Sequence, residues 1–340
     1  MNLPFLTADL PGTAGRLRVH DDDFIVDEEP AYAASGTGDH VFVRIEKRGL
    51  NTAQAVQAIA RALRVRDRDI GVAGMKDRHA ITRQWISLPP PITPDAVLGL
   101  ALDDIKILEA TRHGHKLRTG HVRANRFILR VRDVVADAEP RARAIVERLV
   151  QPPGAPNFYG EQRFGKYADN AERGRALLDR GVLRGNDRKM DRFFMSALQS
   201  ELFNAWLVAR MADGLFSRVL AGDVLHKVGG GMFTCEDAAV DEPRLVAGEL
   251  HVTGPMFGAK MRQAVGVAGE REAAVLAAAG LDRDAFAKVA QIAEGTRRDA
   301  TIAVKESAIR TLEDGSLEIA FALPAGAYAT TVMREVMKSE

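Results

Sequence analysis

Leu17 and Val19 alternate with Arg16, Arg18 and His20, a period of two that predicts a half-buried strand. An acidic run, Asp21-Asp22-Asp23, leads into Phe24-Ile25-Val26-Asp27-Glu28, and Gly36-Thr37-Gly38-Asp39 predicts a turn. Val41, Val43 and Ile45 then alternate with Arg44 and Glu46 as a further strand. Asn51 or Thr52 can cap the helix predicted next, in which Val56, Ile59, Ala60 and Leu63 fall on one face. Its other face carries Arg61 and Arg64, with Arg66 and Arg68 just beyond; Asp67 and Asp69 interleave with them, so these arginines read as solvated. Ile70-Gly71-Val72-Ala73-Gly74-Met75-Lys76-Asp77 predicts a short buried strand that breaks into a glycine turn. Gln84 to Leu88 returns as a strand, which Pro89-Pro90-Pro91 and Pro94 end.

From Arg112 to Arg132 the pattern changes. Arg112, Lys116, Arg118, Arg123, Arg126, Arg130 and Arg132 occur there without an Asp or Glu. Asn125, Phe127, Leu129 and Val131 share one predicted strand face; Arg126, Ile128, Arg130 and Arg132 share the other. A helix with Ile145, Val146, Leu149 and Val150 on its apolar side follows. Gln151-Pro152-Pro153-Gly154-Ala155-Pro156 reads as a domain boundary. Beyond it, helical spacing recurs around residues 168–180, 193–211 and 270–279, with a glycine-rich, strand-like stretch between the last two. Leu317, Ile319 and Phe321 alternate as a final strand running into Leu323-Pro324-Ala325-Gly326. The elements add up to a mixed α/β protein in two units, without an internal repeat.

Composition narrows the class. The 340 residues are 46% hydrophobic, enough to fill the cores of one large or two ordinary domains. A net charge of +1 excludes a polyelectrolyte tail but leaves nucleic acid open, because RNA responds to local potential. The single cysteine, Cys235, allows no internal disulfide and fits a reducing cytoplasm. The N-terminal stretch lacks the basic and apolar regions of a signal peptide, and no run approaches the ~18 apolar residues of a membrane span.

The most informative segment is Gly74-Met75-Lys76-Asp77-Arg78-His79-Ala80-Ile81-Thr82-Arg83-Gln84, a turn that presents a carboxylate between two cations. A neighbouring cation favours the ionised form of a carboxylate, which can serve as base or nucleophile. The bland alternative is an Asp that caps a turn among solvated neighbours. The order Gly74–Lys76–Asp77, Ala80, Thr82 and Gln84 resembles the signature of the tRNA pseudouridine synthase D (TruD) family. Three further segments resemble family motifs in the same order: Phe24-Ile25-Val26-Asp27-Glu28, Asn157-Phe158-Tyr159-Gly160-Glu161-Gln162-Arg163-Phe164-Gly165, and Leu323-Pro324-Ala325-Gly326-Ala327-Tyr328-Ala329-Thr330 continuing to Arg334-Glu335. The resemblance spans about residues 16–335.

The resemblance implies a pseudouridine synthase catalytic domain, a mixed β-sheet flanked by helices, formed by residues 1–156 and 304–340. It implies a smaller α/β insertion domain at 157–303 and a cleft between the two for tRNA. It places the catalytic aspartate at Asp77 and its basic partner at Arg18, where the family form is lysine. It places the substrate-binding positions at Phe24, Lys76, Asn125, Phe127 and Tyr328, the last replacing phenylalanine. The implied reaction isomerises uridine, at position 13 in the D arm, to pseudouridine. That reaction breaks the N1–C1′ bond, turns the base and joins C5 to C1′, with no redox change and so no need of a cofactor or metal. Whether the carboxylate abstracts a ribose proton, attacks C1′ or adds to C6 stays open. The target base has to leave its stack, and aromatic rings such as Phe127 and Phe24 can hold it; plain strand core is the alternative for Phe127.

Arg112, Lys116, Arg118, Arg123 and Arg126 are the RNA-binding candidates, with Arg163 and Lys166 extending the field. The alternative is a solvated strand face. His113, His115 and His121 lie among arginines that repel a divalent ion, Gly229-Gly230-Gly231 lacks a phosphate-loop spacing, and Glu236 and Asp237 disfavour the Cys235 thiolate. The rival to an enzyme is a non-catalytic tRNA-binding or RNA-folding protein using the same basic surface. Binding alone needs no carboxylate facing an anionic partner, so Asp77 separates the two. No obligate protein partner is evident.

Overall fold

The computed structural model describes residues 3–180 and 188–338. The strands and helices run in chain order as follows. The first part holds β1 (Arg16–Leu17), β2 (Phe24–Pro30), β3 (His40–Arg48), α1 (Thr52–Leu63), β4 (Gly71–Val72), β5 (Ile81–Leu88), α2 (Pro94–Leu98), β6 (Ile105–His113), β7 (Val122–Arg132) and α3 (Ala138–Val150). The middle holds β8 (Ala155–Pro156), α4 (Asn170–Arg180), α5 (Arg188–Ala212), β9 (Val224–Lys227), β10 (Met232–Thr234), α6 (Ala238–Val246), β11 (Leu250–Met256), α7 (Gly266–Ala278), β12 (Thr296–Asp299) and β13 (Thr301–Ile302). The end holds β14 (Lys305–Thr311), β15 (Leu317–Pro324) and α8 (Ala329–Met337).

Two compact units result. One comprises residues 10–146, 304–329 and 336–340, the other residues 1–9, 147–303 and 330–335. The chain thus divides within α3, ahead of the proline-rich segment at 151–156.

The first unit is built on one sheet in the order β14-β15-β7-β2-β5-β3-β6, with β1 added to β7 and β4 to β5. The β2–β5 pair is parallel and its other pairings are antiparallel, so the sheet is mixed. Directly paired residues share a face. Val26, Phe127 and Phe321 therefore form one cross-strand row, and Glu28, Asn125 and Leu323 the next. Ile45–Gln84 and Lys47–Thr82 continue the same face across β3 and β5. Val41, Val43, Ile45 and Ile86 of this face pack with Ala55, Ile59 and Ala60 of α1 in one buried cluster. The helix starts at a reciprocal cap, in which the Asn51 side chain accepts from Gln54 N and the Gln54 side chain from Asn51 N, both at 2.9 Å.

Three sequence expectations change, and one segment left unassigned gains a structure. The strand expected through His20 stops after Leu17, because Arg18 adopts a left-handed backbone, φ 62°, that turns the chain. Asp21–Asp23 form a 3-10 turn in which Asp23 is fully buried against Arg132, Oδ1 to Nη2 2.8 Å. Pro94 opens α2 at its first turn rather than ending a strand, as proline's fixed φ allows. Val150, expected on the apolar side of α3, is exposed, whereas Ile145, Val146 and Leu149 are buried.

The second unit carries a four-stranded antiparallel sheet in the order β10-β9-β11-β12 and a β8–β13 pair. The 25-residue α5 sends Phe203, Trp206 and Leu207 into a core with Phe158, Tyr159, Leu225 and Val252. A second core joins Leu177, Leu198 and Leu202 to Phe257, Phe286 and Val289. Among the described residues no helix is long and apolar enough to cross a membrane.

Candidate active site

The turn that bears Asp77 lies between β4 and β5 and has no regular secondary structure of its own. Fixed donors and acceptors therefore hold it. Lys76 N donates to Thr52 Oγ1 at 2.8 Å, and Thr52 Oγ1 in turn donates to Gln84 Oε1 at 2.9 Å. Arg78 Nε donates to Gly49 O at 3.0 Å, and Gly120 N to Ala73 O at 2.9 Å. The start of α1 and the loop before it are thus the scaffold of the turn.

Asp77 points outward, its side chain 58% exposed, and Arg18 Nη2 donates to Oδ2 at 2.9 Å. Arg18 is itself only 22% exposed, with its guanidinium 4.0 Å from the Phe24 ring centroid. The left-handed backbone at Arg18 and the Phe24 ring face thus place a permanent charge against the carboxylate. The expectation that Arg18 and Asp77 meet is met in distance. Another donor of that guanidinium, Nε, is buried without a hydrogen-bond partner among the described residues.

Phe24 and Phe127 contact edge to face, centroids 6.2 Å apart, and Phe127 reaches Phe321 at 5.7 Å. All three rings are buried. The plain-core alternative thus accounts for Phe127 and Phe24 as they stand, while Tyr328 is the half-exposed aromatic of this unit's candidate set. Asn125 lies one pair along β7 from Phe127, and its Oδ1 is buried without a partner among the described residues, as are Thr82 Oγ1 and Gln84 Nε2.

Lys76 is placed otherwise than its neighbourhood in sequence suggests. Its ammonium is ion-paired with the fully buried Glu28, whose Oε1 also accepts from Trp85 N at 3.1 Å. That pair takes one of the three ammonium donors of Lys76.

Sequence reasoning missed Lys47. It is fully buried in β3, and its Nζ donates to Leu50 O and, at 2.9 Å, to the backbone carbonyl of Asp77 itself. Burial pushes this ammonium down to about 8, against the pull of the Asp77 carboxylate and with the repulsion of Lys76. A signal was present: Val41, Val43, Ile45 and Lys47 share one parity, which put a cation on the apolar face.

The basic stretch is free of acids along the chain but not in space. Arg123 pairs with Glu29 at 3.0 Å, Arg126 with Glu306, Arg130 with Asp314 and Arg132 with Asp23. Lys116 Nζ donates to Arg68 O at 2.7 Å. Arg112, Lys116 and Arg118 carry no ion pair among the described residues, so the unpaired charge of the stretch concentrates on these three. In the second unit Arg163 is engaged by Ser200 Oγ at 3.0 Å and by Ser196, and Lys166 lies 5.6 Å from the centroid of the exposed Tyr167 ring. His113 stacks on Tyr32 and His115 meets that ring edge to face, and Ser35 N donates to His113 Nδ1 at 3.1 Å. Cys235 is buried, and its thiol is pushed up to about 12, first by burial and then by Asp241; Glu236 is not among the causes.

An exposed carboxylate, a guanidinium that cannot deprotonate beside it, and buried polar atoms along the adjacent sheet rows suit chemistry at a carboxylate oxygen. Comparison with known proteins agrees with that equipment. The family model described as tRNA pseudouridine synthase D (TruD) matches residues 1–184 and 180–336. A tRNA pseudouridine synthase D of Anaeromyxobacter dehalogenans is 51% identical over 100% of this chain and 97% of its own length. One of Thermus thermophilus is 42% identical over 99% of this chain and 92% of its own. A crystal structure of a Methanosarcina mazei protein assigned to the same family superposes with a TM-score of 0.82, covering 99% of this chain and 97% of that one; at 24% identity it shows the fold alone. The chain belongs to the tRNA pseudouridine synthase D (TruD) family.

Proposed function

We propose that this protein is a tRNA pseudouridine synthase that converts uridine 13 of the D arm to pseudouridine, with Asp77 as the carboxylate that reacts. It works in the cytoplasm on folded tRNA. Its catalytic domain is residues 1–156 and 304–340, which contain the mixed sheet, and residues 157–303 are the insertion. The observation that carries the reading is the Arg18–Asp77 pair, 2.9 Å between Nη2 and Oδ2, at an exposed turn in a chain of this family.

Each residue has a defined task. Arg18 orients Asp77 and balances its charge while the glycosidic bond breaks; it donates hydrogen bonds but gives up no proton. A flipped uracil presents two carbonyls and one N–H, which the buried, unpartnered Asn125 Oδ1 and Arg18 Nε can meet. Tyr328, 43% exposed, offers a ring for stacking, and Phe24, Phe127 and Phe321 form the apolar floor. Arg112 and Arg118 supply the readiest phosphate contacts, and Arg123 and Arg126 supply theirs at the cost of ion pairs with Glu29 and Glu306. The chemistry is an isomerisation and calls for no cofactor.

The test is to incubate the purified protein with unmodified tRNA transcript and map pseudouridine chemically. Product at uridine 13 is expected. Tight binding without product on any tRNA would favour the rival, a protein that binds or folds tRNA without chemistry.

A further inference from the structure

Lys47 is one of the largest fully buried side chains among the described residues, yet no carboxylate among them is bound to it. A lysine is rarely buried unless paired. Its two hydrogen-bond acceptors are the carbonyls of Leu50, in the loop that leads into α1, and of Asp77. It thus joins the scaffold of the turn to the residue the turn presents. We propose that Lys47 is a positioning residue for Asp77, whose buried ammonium clamps the turn and holds a second positive charge behind the carboxylate, making turnover depend on the protonation of Lys47. This rests on the reading of Asp77 given above and adds a residue that acts through it.

The surroundings support a switchable charge. The neighbours that shift it are Asp77 and Lys76, on the turn; Lys76 is itself neutralised by Glu28 of β2. Its sheet partners are Thr82 on β5 and Ile105 on β6, both uncharged. On β3, Glu46 pairs with Arg83, and Arg48 with Asp22. Arg18 is paired with the Asp77 carboxylate. Nothing among these binds the Lys47 proton by a direct carboxylate contact, so desolvation dominates and the amine loses its proton within an accessible pH range. A neutral amine donates to the two carbonyls more weakly and brings no field to Asp77.

The experiment follows single-turnover pseudouridine formation on tRNA transcript across pH 6.5–10, with affinity measured separately, for the parent and for Lys47→Met. The parent should show a loss of rate with a midpoint near 8. The variant should be slower by roughly 10- to 100-fold at neutral pH, as expected for a misplaced reacting group, bind tRNA as the parent does, and lack that limb. A merely structural lysine would leave the limb in place. Parent-like rates with the limb intact, or a loss confined to binding, would overturn the proposal. If Lys47→Met does not fold, isotope-labelled lysine in the intact parent decides. A lysine titrating near 8 together with the rate is expected, and titration of every lysine in the ordinary range would overturn it. Failure here is separable from failure of the functional reading. An inactive Asp77→Asn beside a parent-like Lys47→Met removes only the role of Lys47, whereas an active Asp77→Asn removes the reading on which it rests.

Discussion

Lys47 of the sheet unit is buried unlike Lys76 of the same unit, which pairs with Glu28, and unlike the buried arginines of the other unit. In the unit of residues 147–303, Arg297 contacts Glu272 at 2.7 Å and Arg210 contacts Asp223 at 2.7 Å, each pair almost fully buried. Arg297 is further held by Thr253 O at 2.6 Å, and Arg210 by Leu215 O and Arg218 O. These guanidiniums cannot titrate and each faces a carboxylate, so their charge is fixed and their work is to join helix, strand and loop. In the sheet unit, Lys47 donates to the carbonyls of Leu50 and Asp77, pairs with no carboxylate among the described residues and can lose its proton. A permanent ion pair serves architecture; a solitary buried ammonium is tolerated where its charge acts on something else, and here the something else is Asp77.

The largest expected effect on stability lies on the architectural side. Glu272→Gln leaves Arg297 buried without a counter-charge and should cost about 3–5 kcal/mol, read as a fall in the denaturant midpoint. Lys47→Met should cost far less stability, within about 2 kcal/mol for two released carbonyls, and should act on turnover instead. Equal losses of stability in both variants would break the comparison.

The next effect is a pH dependence with a definite sign. The Lys47 ammonium falls from 10.5 to about 8 on folding. Between those values the unfolded chain holds the proton and the folded protein does not, so this group's contribution to stability rises with pH across that window. It amounts to roughly 3 kcal/mol in full. The stability of the parent relative to Lys47→Met should therefore increase from pH 8 to about 10 while turnover decreases. Stability and activity that move together would contradict it.

Arg18 gives a smaller and more graded effect. Arg18→Ala should lower turnover by about 10²-fold with little change in binding, and Arg18→Lys, which restores the charge without the fork, should recover most of it. Equal loss of turnover and affinity in Arg18→Ala would assign Arg18 to a phosphate instead. Smallest of all are the surface cations. Arg118→Ala should reduce the salt slope of tRNA binding by about 1, and Arg123→Ala by less, because Glu29 already holds Arg123. The reverse order would mean that Glu29 releases its partner to RNA.

Much of this could be read from the chain because the signals were local. The Asn51 cap, the shared face of Asn125, Phe127, Leu129 and Val131, and the turn at Gly74–Asp77 all arise within a few residues. What escaped depends on distant partners. Seven cations without an acid looked like one positive field, and residues from β2, β14, the 3-10 turn and the loop before β15 neutralise four of them. Period-two spacing also carried the predicted first strand past Arg18, where a positive φ, visible only in three dimensions, turns the guanidinium toward Asp77. Lys47 escaped for a third reason: a charged residue at an apolar position of a strand is easily taken for the strand's end, and its acceptors are the carbonyl of Leu50 and that of Asp77, 30 residues on.

The most direct test of the account is Asp77→Asn in single turnover on tRNA transcript, with pseudouridine counted by chemical mapping and affinity measured alongside. The substitution keeps shape and hydrogen-bonding reach and removes the charge and the reactive oxygen. Product formation should fall on the order of 10³-fold or more, and binding should persist or tighten as a carboxylate leaves the vicinity of phosphates. Pseudouridine formed at the parent's rate by the folded variant would contradict it.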